Sequence, residues 1–131
     1  MPPLKTIIQE VVLKTTPPEV YAALMDSEKH SAFTELRATI SPKVGGLITA
    51  YDGFITGSNV KLVPDKIIVQ RWRAKGWPDG HFSTVTIELK KIKSKTSLHF
   101  IQTGVPAEFY LDIAAGWKTY YWERMKRLFG W

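Results

Sequence analysis

Three histidines, an inward-facing glutamine and a cluster of cations on one strand are the side chains of this chain with chemistry to offer. His30, His81 and His99 fall in three different segments, with no histidine four residues from another and no cysteine anywhere in the 131 residues. A metal centre needs ligands that converge, so neither a metal nor a cofactor is expected. Thiolate catalysis and disulfide frameworks are excluded with the cysteines. No G-x-S-x-G elbow is present, and Gly45-Gly46 leads into a strand rather than a helix, so it is no phosphate loop. Asp112 and Glu123 lie off the apolar stripe of the last helical segment and read as solvated, not as a paired acid and base. The chain reads as non-enzymatic, acting by binding.

Two surfaces could do that binding. In Ile67-Ile68-Val69-Gln70-Arg71-Trp72-Arg73-Ala74-Lys75, alternation puts Arg71, Arg73 and Lys75 on one face and Ile68, Gln70, Trp72 and Ala74 on the other. With 18 Lys and Arg against 12 Asp and Glu, the formal charge is +6, which favours an acidic partner. The adjoining Trp77-Pro78-Asp79-Gly80-His81-Phe82 is a rigid turn. Either its Trp covers the edge of the core, or Trp77, Asp79 and His81 are displayed to a partner, since aromatic and Arg side chains dominate interface hot spots. Gln70 points inward. Its amide is satisfied by backbone or water, or it anchors a ligand in a cavity lined by Trp72, Phe100, Trp117 and Tyr121; pockets of about 300 Å³ or more hold apolar molecules. Lys90-Lys91-Ile92-Lys93-Ser94-Lys95 is a solvated hairpin tip, and no aromatic interleaves its lysines as nucleic-acid binding would require.

The elements that must position these residues follow from periodicity and punctuation. Ile7–Leu13 reads as a first strand. Thr16, Pro17 and Glu19 form a capping box for a short helix whose apolar face is Val20, Tyr21, Ala23 and Leu24. Asp26-Ser27 starts a second helical turn that reaches Phe33. Six alternating strands follow, at Glu35–Ile40, Leu47–Tyr51, Phe54–Val63, Lys66–Ala74, Ser83–Lys91 and Thr96–Thr103, separated by Pro, Gly and Asp turns. Gly57 marks a bulge or a close backbone approach within its strand. Val85, Ile87, Leu89, Leu98 and Phe100 share a dry face with Ile68 and Trp72, leaving His99 outside, the one-sided pattern of an antiparallel sheet. Tyr110, Ile113, Ala114, Trp117, Tyr121, Met125 and Leu128 then recur at helical spacing. A stripe that wide needs a sheet to cover it.

The expected architecture is α+β: a curved antiparallel sheet of six or seven strands wrapped around a long C-terminal helix, with two short helices after strand one. That order resembles the helix-grip fold of the START-like (SRPBCC) superfamily, which also holds the birch-pollen allergens. The likeness becomes specific at 45–57, at 62–73, at 77–86, at Gly104-Val105-Pro106-Ala107-Glu108, at Gly116-Trp117 and at Tyr120-Tyr121-Trp122. There the chain resembles the C-terminal domain of the activators of the ninety-kilodalton heat-shock chaperone's ATPase, over nearly its whole length from about Lys5. The resemblance implies a co-chaperone in the stress response, with such a chaperone or another acidic protein as partner. Two-domain activators carry an additional N-terminal domain that makes much of the chaperone contact, so weak binding and modest stimulation are expected of this part alone. The sequence departs from the family at Phe109, Leu111 and Ala114-Ala115, where charged residues are usual, which leaves apolar surface at one mouth of the grip.

A single domain over 1–131 is expected, a monomer or weak dimer, with a small apolar ligand as the alternative occupant of the grip. No apolar run approaches membrane-spanning length and the first residues lack an apolar leader core, so the expected compartment is the cytoplasm.

Overall fold

The computed structural model describes residues 3–130, so Met1, Pro2 and Trp131 lie outside it. Its elements are β1 (Leu4–Leu13), α1 (Pro17–Met25), α2 (Ser27–Thr34), β2 (Thr39–Ile40), β3 (Leu47–Ala50), β4 (Ile55–Val63), β5 (Ile67–Ala74), β6 (Ser83–Ile92) and β7 (Lys95–Pro106). The chain then enters one continuous C-terminal helix: a 3₁₀ turn (Ala107–Phe109), α3 (Tyr110–Gly116), a π-helical turn (Trp117–Trp122) and α4 (Glu123–Phe129). The seven strands are antiparallel throughout, in the order β1-β7-β6-β5-β4-β3-β2. The helix-grip architecture expected from the sequence is the one observed.

Strand parity puts the expected side chains inside. Ile68, Trp72, Val85, Ile87, Leu98 and Phe100 are all buried, while Arg71, Thr84 and Glu88 face solvent. The C-terminal helix closes this face with Trp117, Tyr121, Trp122 and Met125. Trp117 sits at the centre, its ring 4.5 Å from Phe100, 4.6 Å from Tyr121 and 5.5 Å from Trp72. Offset and edge-on aromatic contacts at these distances add to the burial of their area.

Three local expectations are corrected, and the alternative left open at Gly57 is decided. Thr16 does precede α1, but its hydroxyl makes no capping bond. Pro17 and Pro18 occupy the first two helical positions, so of the two amides a cap can serve only that of Glu19 remains, and the Thr16 hydroxyl does not bond it. The strand expected over Glu35–Ile40 shrinks to Thr39–Ile40, because α2 runs on to Thr34 and Glu35 ends it in the left-handed conformation (φ 64°). Gly57 is a close approach rather than a bulge: a Cβ there would lie 1.9 Å from the Arg71 carbonyl oxygen. The bulge falls at Val60, where the β4–β5 register shifts between Asn59 and Lys61. Finally, Leu128 is 52% exposed, whereas Trp122 is buried. The π-helical turn takes more residues per turn than the 3.6 of an α-helix, so it rotates the buried stripe out of the phase that the sequence spacing implies.

Candidate functional site

The grip leaves two spaces beside the C-terminal helix. The inner one is a small cavity of about 20 Å³ bordered by Gln70, Trp72, Trp117, Tyr121 and His30. That is room for about one water molecule, well short of a drug-sized ligand. Phe100, expected to line a cavity, is fully buried in the packing instead. Gln70 is satisfied by a side chain that the sequence reading did not single out: its Nε2 donates to Asn59 Oδ1 at 3.0 Å. Asn59 in turn donates to the carbonyls of Ser41 (2.6 Å) and Lys43 (2.9 Å). This buried amide relay fastens β5 to the loop before β3, and Asn59 points inward because it shares the strand parity of Ile55 and Gly57, ahead of the bulge at Val60.

The outer space is an open groove of about 590 Å³ at one mouth of the grip. Tyr51 and Phe54, from the β3–β4 turn, form one wall, and Ile113, Gly116, Tyr120 and Arg124 on the helix form the other. Ile55, Trp72, Trp117 and Tyr121 border both spaces and separate them. Tyr51 is held in the left-handed region (φ 51°), uncommon for a bulky residue. Its hydroxyl donates to the Tyr120 carbonyl at 2.8 Å, tying the turn to the π-helical segment. Burial raises the Tyr51 hydroxyl pKa far above its usual value, so at neutral pH it remains a donor.

Tyr121 is anchored from behind by His30, one of three histidines that no sequence spacing groups. His30 Nδ1 lies 3.0 Å from the Leu24 carbonyl, which can only accept, so Nδ1 carries the proton. Nε2 then accepts from the Tyr121 hydroxyl at 2.9 Å. Its signal in the sequence was that His30, Phe33 and Thr34 share one helical face, and all three are buried. Desolvation lowers the His30 pKa below its usual 6.5, outweighing the bond to Leu24, which raises it. Native and unfolded chains therefore hold this imidazole equally neutral well above pH 6.5. Below that pH the unfolded chain binds a proton that the native chain refuses. Stability should fall on acidification through 6.5, by up to about 1.4 kcal/mol per pH unit until the native imidazole titrates. Melting temperatures between pH 7.5 and 5.5 should drop less steeply for His30→Gln than for wild type; equal slopes would remove His30 as the cause.

The basic strand face is present, but its members differ. Arg71 and Lys75 are exposed, and the Arg71 guanidinium lies 4.2 Å from the Phe82 ring centroid. Across the strands, Arg71 faces Ser58 and Thr84, and Arg73 faces Thr56, all neutral. Arg73 is half-buried and donates to the Trp77 carbonyl at 2.9 Å, so it braces the turn as well as charging the face. Trp77 itself is buried against Trp72 and Phe109 rather than displayed. Asp79 is exposed, and His81 is half-buried with Nε2 2.7 Å from the Gly104 carbonyl. His99 pairs with Glu10 at 2.8 Å on the outer sheet face. Among the described residues, no group of three or more His, Cys, Asp or Glu could hold a metal ion. No described helix is long and apolar enough to cross a membrane.

The fold and its two surfaces define a helix-grip domain with a tightly filled interior, an aromatic groove and a cationic strand. The sequence profile described as "Activator of Hsp90 ATPase homolog 1-like protein" matches residues 14–130, and the chain belongs to that family. It is similar to the activator of 90 kDa heat shock protein ATPase homolog 1 of Homo sapiens, 37% identical over 130 residues, which is 99% of this chain and 38% of that protein. The corresponding homolog of Dictyostelium discoideum is 33% identical over 129 residues, covering 98% of this chain and 34% of its own. The chain thus spans little more than a third of these relatives' length. In fold it resembles the crystal structure of an Hsp90 activator from Plasmodium falciparum (TM-score 0.88, 20% identity, 94% of each chain). It also resembles the solution structure of the Aha1 dimer from Colwellia psychrerythraea (TM-score 0.79, 17% identity, 95% of this chain and 96% of that one).

Proposed function

We propose that this domain is a cytoplasmic, non-enzymatic co-chaperone module that docks on an acidic surface of a ninety-kilodalton heat-shock chaperone. The observation that carries the reading is the cationic pair Arg71 and Arg73 on β5, whose direct cross-strand partners Ser58, Thr84 and Thr56 are neutral, in a chain of net charge +6. Charges left uncompensated on a sheet face steer encounter with an opposite surface and fix register more than they add affinity. Arg71 and Lys75 supply the free charge. Arg73 contributes while bracing the Trp77 turn, and Asp79 and His81 lie at the edge of the contact. The domain works as a monomer or weak dimer and needs no cofactor.

Reversing Arg71 and Lys75 to Glu should slow association roughly tenfold or more at low salt without changing the melting temperature. Arg73 is left in place because its loss would also free the turn. Raising salt from 0.1 to 1 M shortens the Debye length from about 10 to about 3 Å, so wild type and the double variant should converge. Surface plasmon resonance against the host's own chaperone at both salt concentrations, beside a coupled ATPase assay, reads the effect. A wild-type domain that neither binds nor stimulates would end the proposal.

A further inference from the structure

We propose that the groove between the β3–β4 turn and the C-terminal helix binds a planar aromatic molecule bearing one acidic group, its ring system against Tyr51, Phe54 and Tyr120 and its acid at Arg124. Three independent features point there. The groove's volume, about 590 Å³, lies within the roughly 300–1,000 Å³ of small-molecule sites, and its walls are mainly aromatic and aliphatic.

Gly116 sits within the helix where it packs against nothing closely. A Cβ there would meet only the Tyr120 ring edge, at 3.8 Å. Glycine weakens a helix, and here no close approach of backbone requires it. The missing side chain instead deepens the groove it lines. Opposite, the left-handed backbone at Tyr51 and Asp52 is unfavourable for non-glycine residues, yet it carries the Tyr51 ring to within 5.7 Å of Tyr120.

The charge of the ligand follows from burial. Arg124 donates from Nη1 to the Thr34 carbonyl at 2.6 Å and lies over the Tyr120 ring at 5.5 Å. That leaves further N–H donors on its fork. The Glu35 carboxylate approaches Arg124 only to 3.8 Å, and its side chain is 82% exposed against 25% for Arg124. Asp112 is also exposed on the rim. Solvent screens both carboxylates far more than it screens the half-sheltered guanidinium, so the cation decides which head group is preferred.

This proposal is independent of the chaperone reading, because the groove opens beside the helix and the β5 cations face the other side of the sheet. The test uses 8-anilino-1-naphthalenesulfonate and its uncharged counterpart N-phenyl-1-naphthylamine, titrated into the whole chain by fluorescence. Wild type should bind both saturably at one site. Amide chemical shifts should move at Ile113, Gly116 and Tyr120. Gly116→Leu fills the groove without a backbone clash and should weaken both probes roughly tenfold or more, while the chain still melts cooperatively. Arg124→Gln should weaken the sulfonate by about tenfold, the loss of one charge-assisted contact, and leave the naphthylamine within about twofold. Unchanged binding in Gly116→Leu, or wild-type shifts confined to another surface, would overturn the site. Equal effects of Arg124→Gln on the two probes would overturn the acidic ligand.

Discussion

Cutting the chain after Gly104 should abolish cooperative melting. The cut removes Trp117, Tyr121, Trp122 and Met125, each at most 5% exposed, which together cover the dry face of the sheet. Losing one buried aromatic of this kind costs about 3–5 kcal/mol, and a domain holds only about 5–15 kcal/mol in total. The loss also strands polar partners. Gln102 Oε1 would lose the indole N–H of Trp117, and Gln9 Oε1 that of Trp122. His30 Nε2 would lose the Tyr121 hydroxyl. The single substitution Trp117→Ala should remove about 3–5 kcal/mol by urea titration, read as a lower midpoint at unchanged slope. A truncated chain with a sharp calorimetric transition would mean that the sheet is covered by something other than this helix.

Gly57→Ala should destabilise the domain about as much as losing a core aromatic, although it adds a single methyl group. A Cβ at this position meets the Arg71 carbonyl oxygen at 1.9 Å and Trp72 Cα at 3.2 Å. These are backbone atoms of β5, a central strand paired on both sides, so they cannot rotate away as a side-chain end could. Relief requires separating β4 from β5 around Trp72, at about 3 kcal/mol or more, the upper end of what overpacking usually costs. Gly116→Ala is the internal comparison. Its Cβ enters open space on a helix, and it should stabilise by about 0.5–1 kcal/mol. Urea midpoints of the two variants should therefore move in opposite directions. Two shifts of the same sign would show that glycine content, and not the β4–β5 contact, governs the effect.

Periodicity carried the architecture. Alternation in Ile67–Lys75 and Ser83–Lys91 told which face was dry, and the stripe from Tyr110 to Met125 told that one helix covered it, because both patterns are local consequences of side-chain direction. The inward parity of Gln70 and the solvent exposure of Arg71 and Lys75 were legible for the same reason. Where a local irregularity reset the phase, the sequence misled. The π-helical turn buried Trp122 and put Leu128 outside, and the left-handed cap at Glu35 cut short a strand that alternation alone had extended.

The candidate site belongs almost wholly to tertiary structure. His30 and Tyr121 are 91 residues apart and Tyr51 and Tyr120 are 69, so no spacing rule links them. Trp77 could have been displayed or buried on sequence grounds, and only the position of Trp72 and Phe109 in space decided that it was buried. The space inside the grip was undecided for the same reason. Its volume is the small difference between what a curved sheet encloses and what Trp72, Phe100, Trp117 and Tyr121 fill, and that difference depends on rotamers and helix phase. A sequence determines which side chains turn inward, because that follows from each strand and helix alone; how completely they fill the interior depends on how the elements meet.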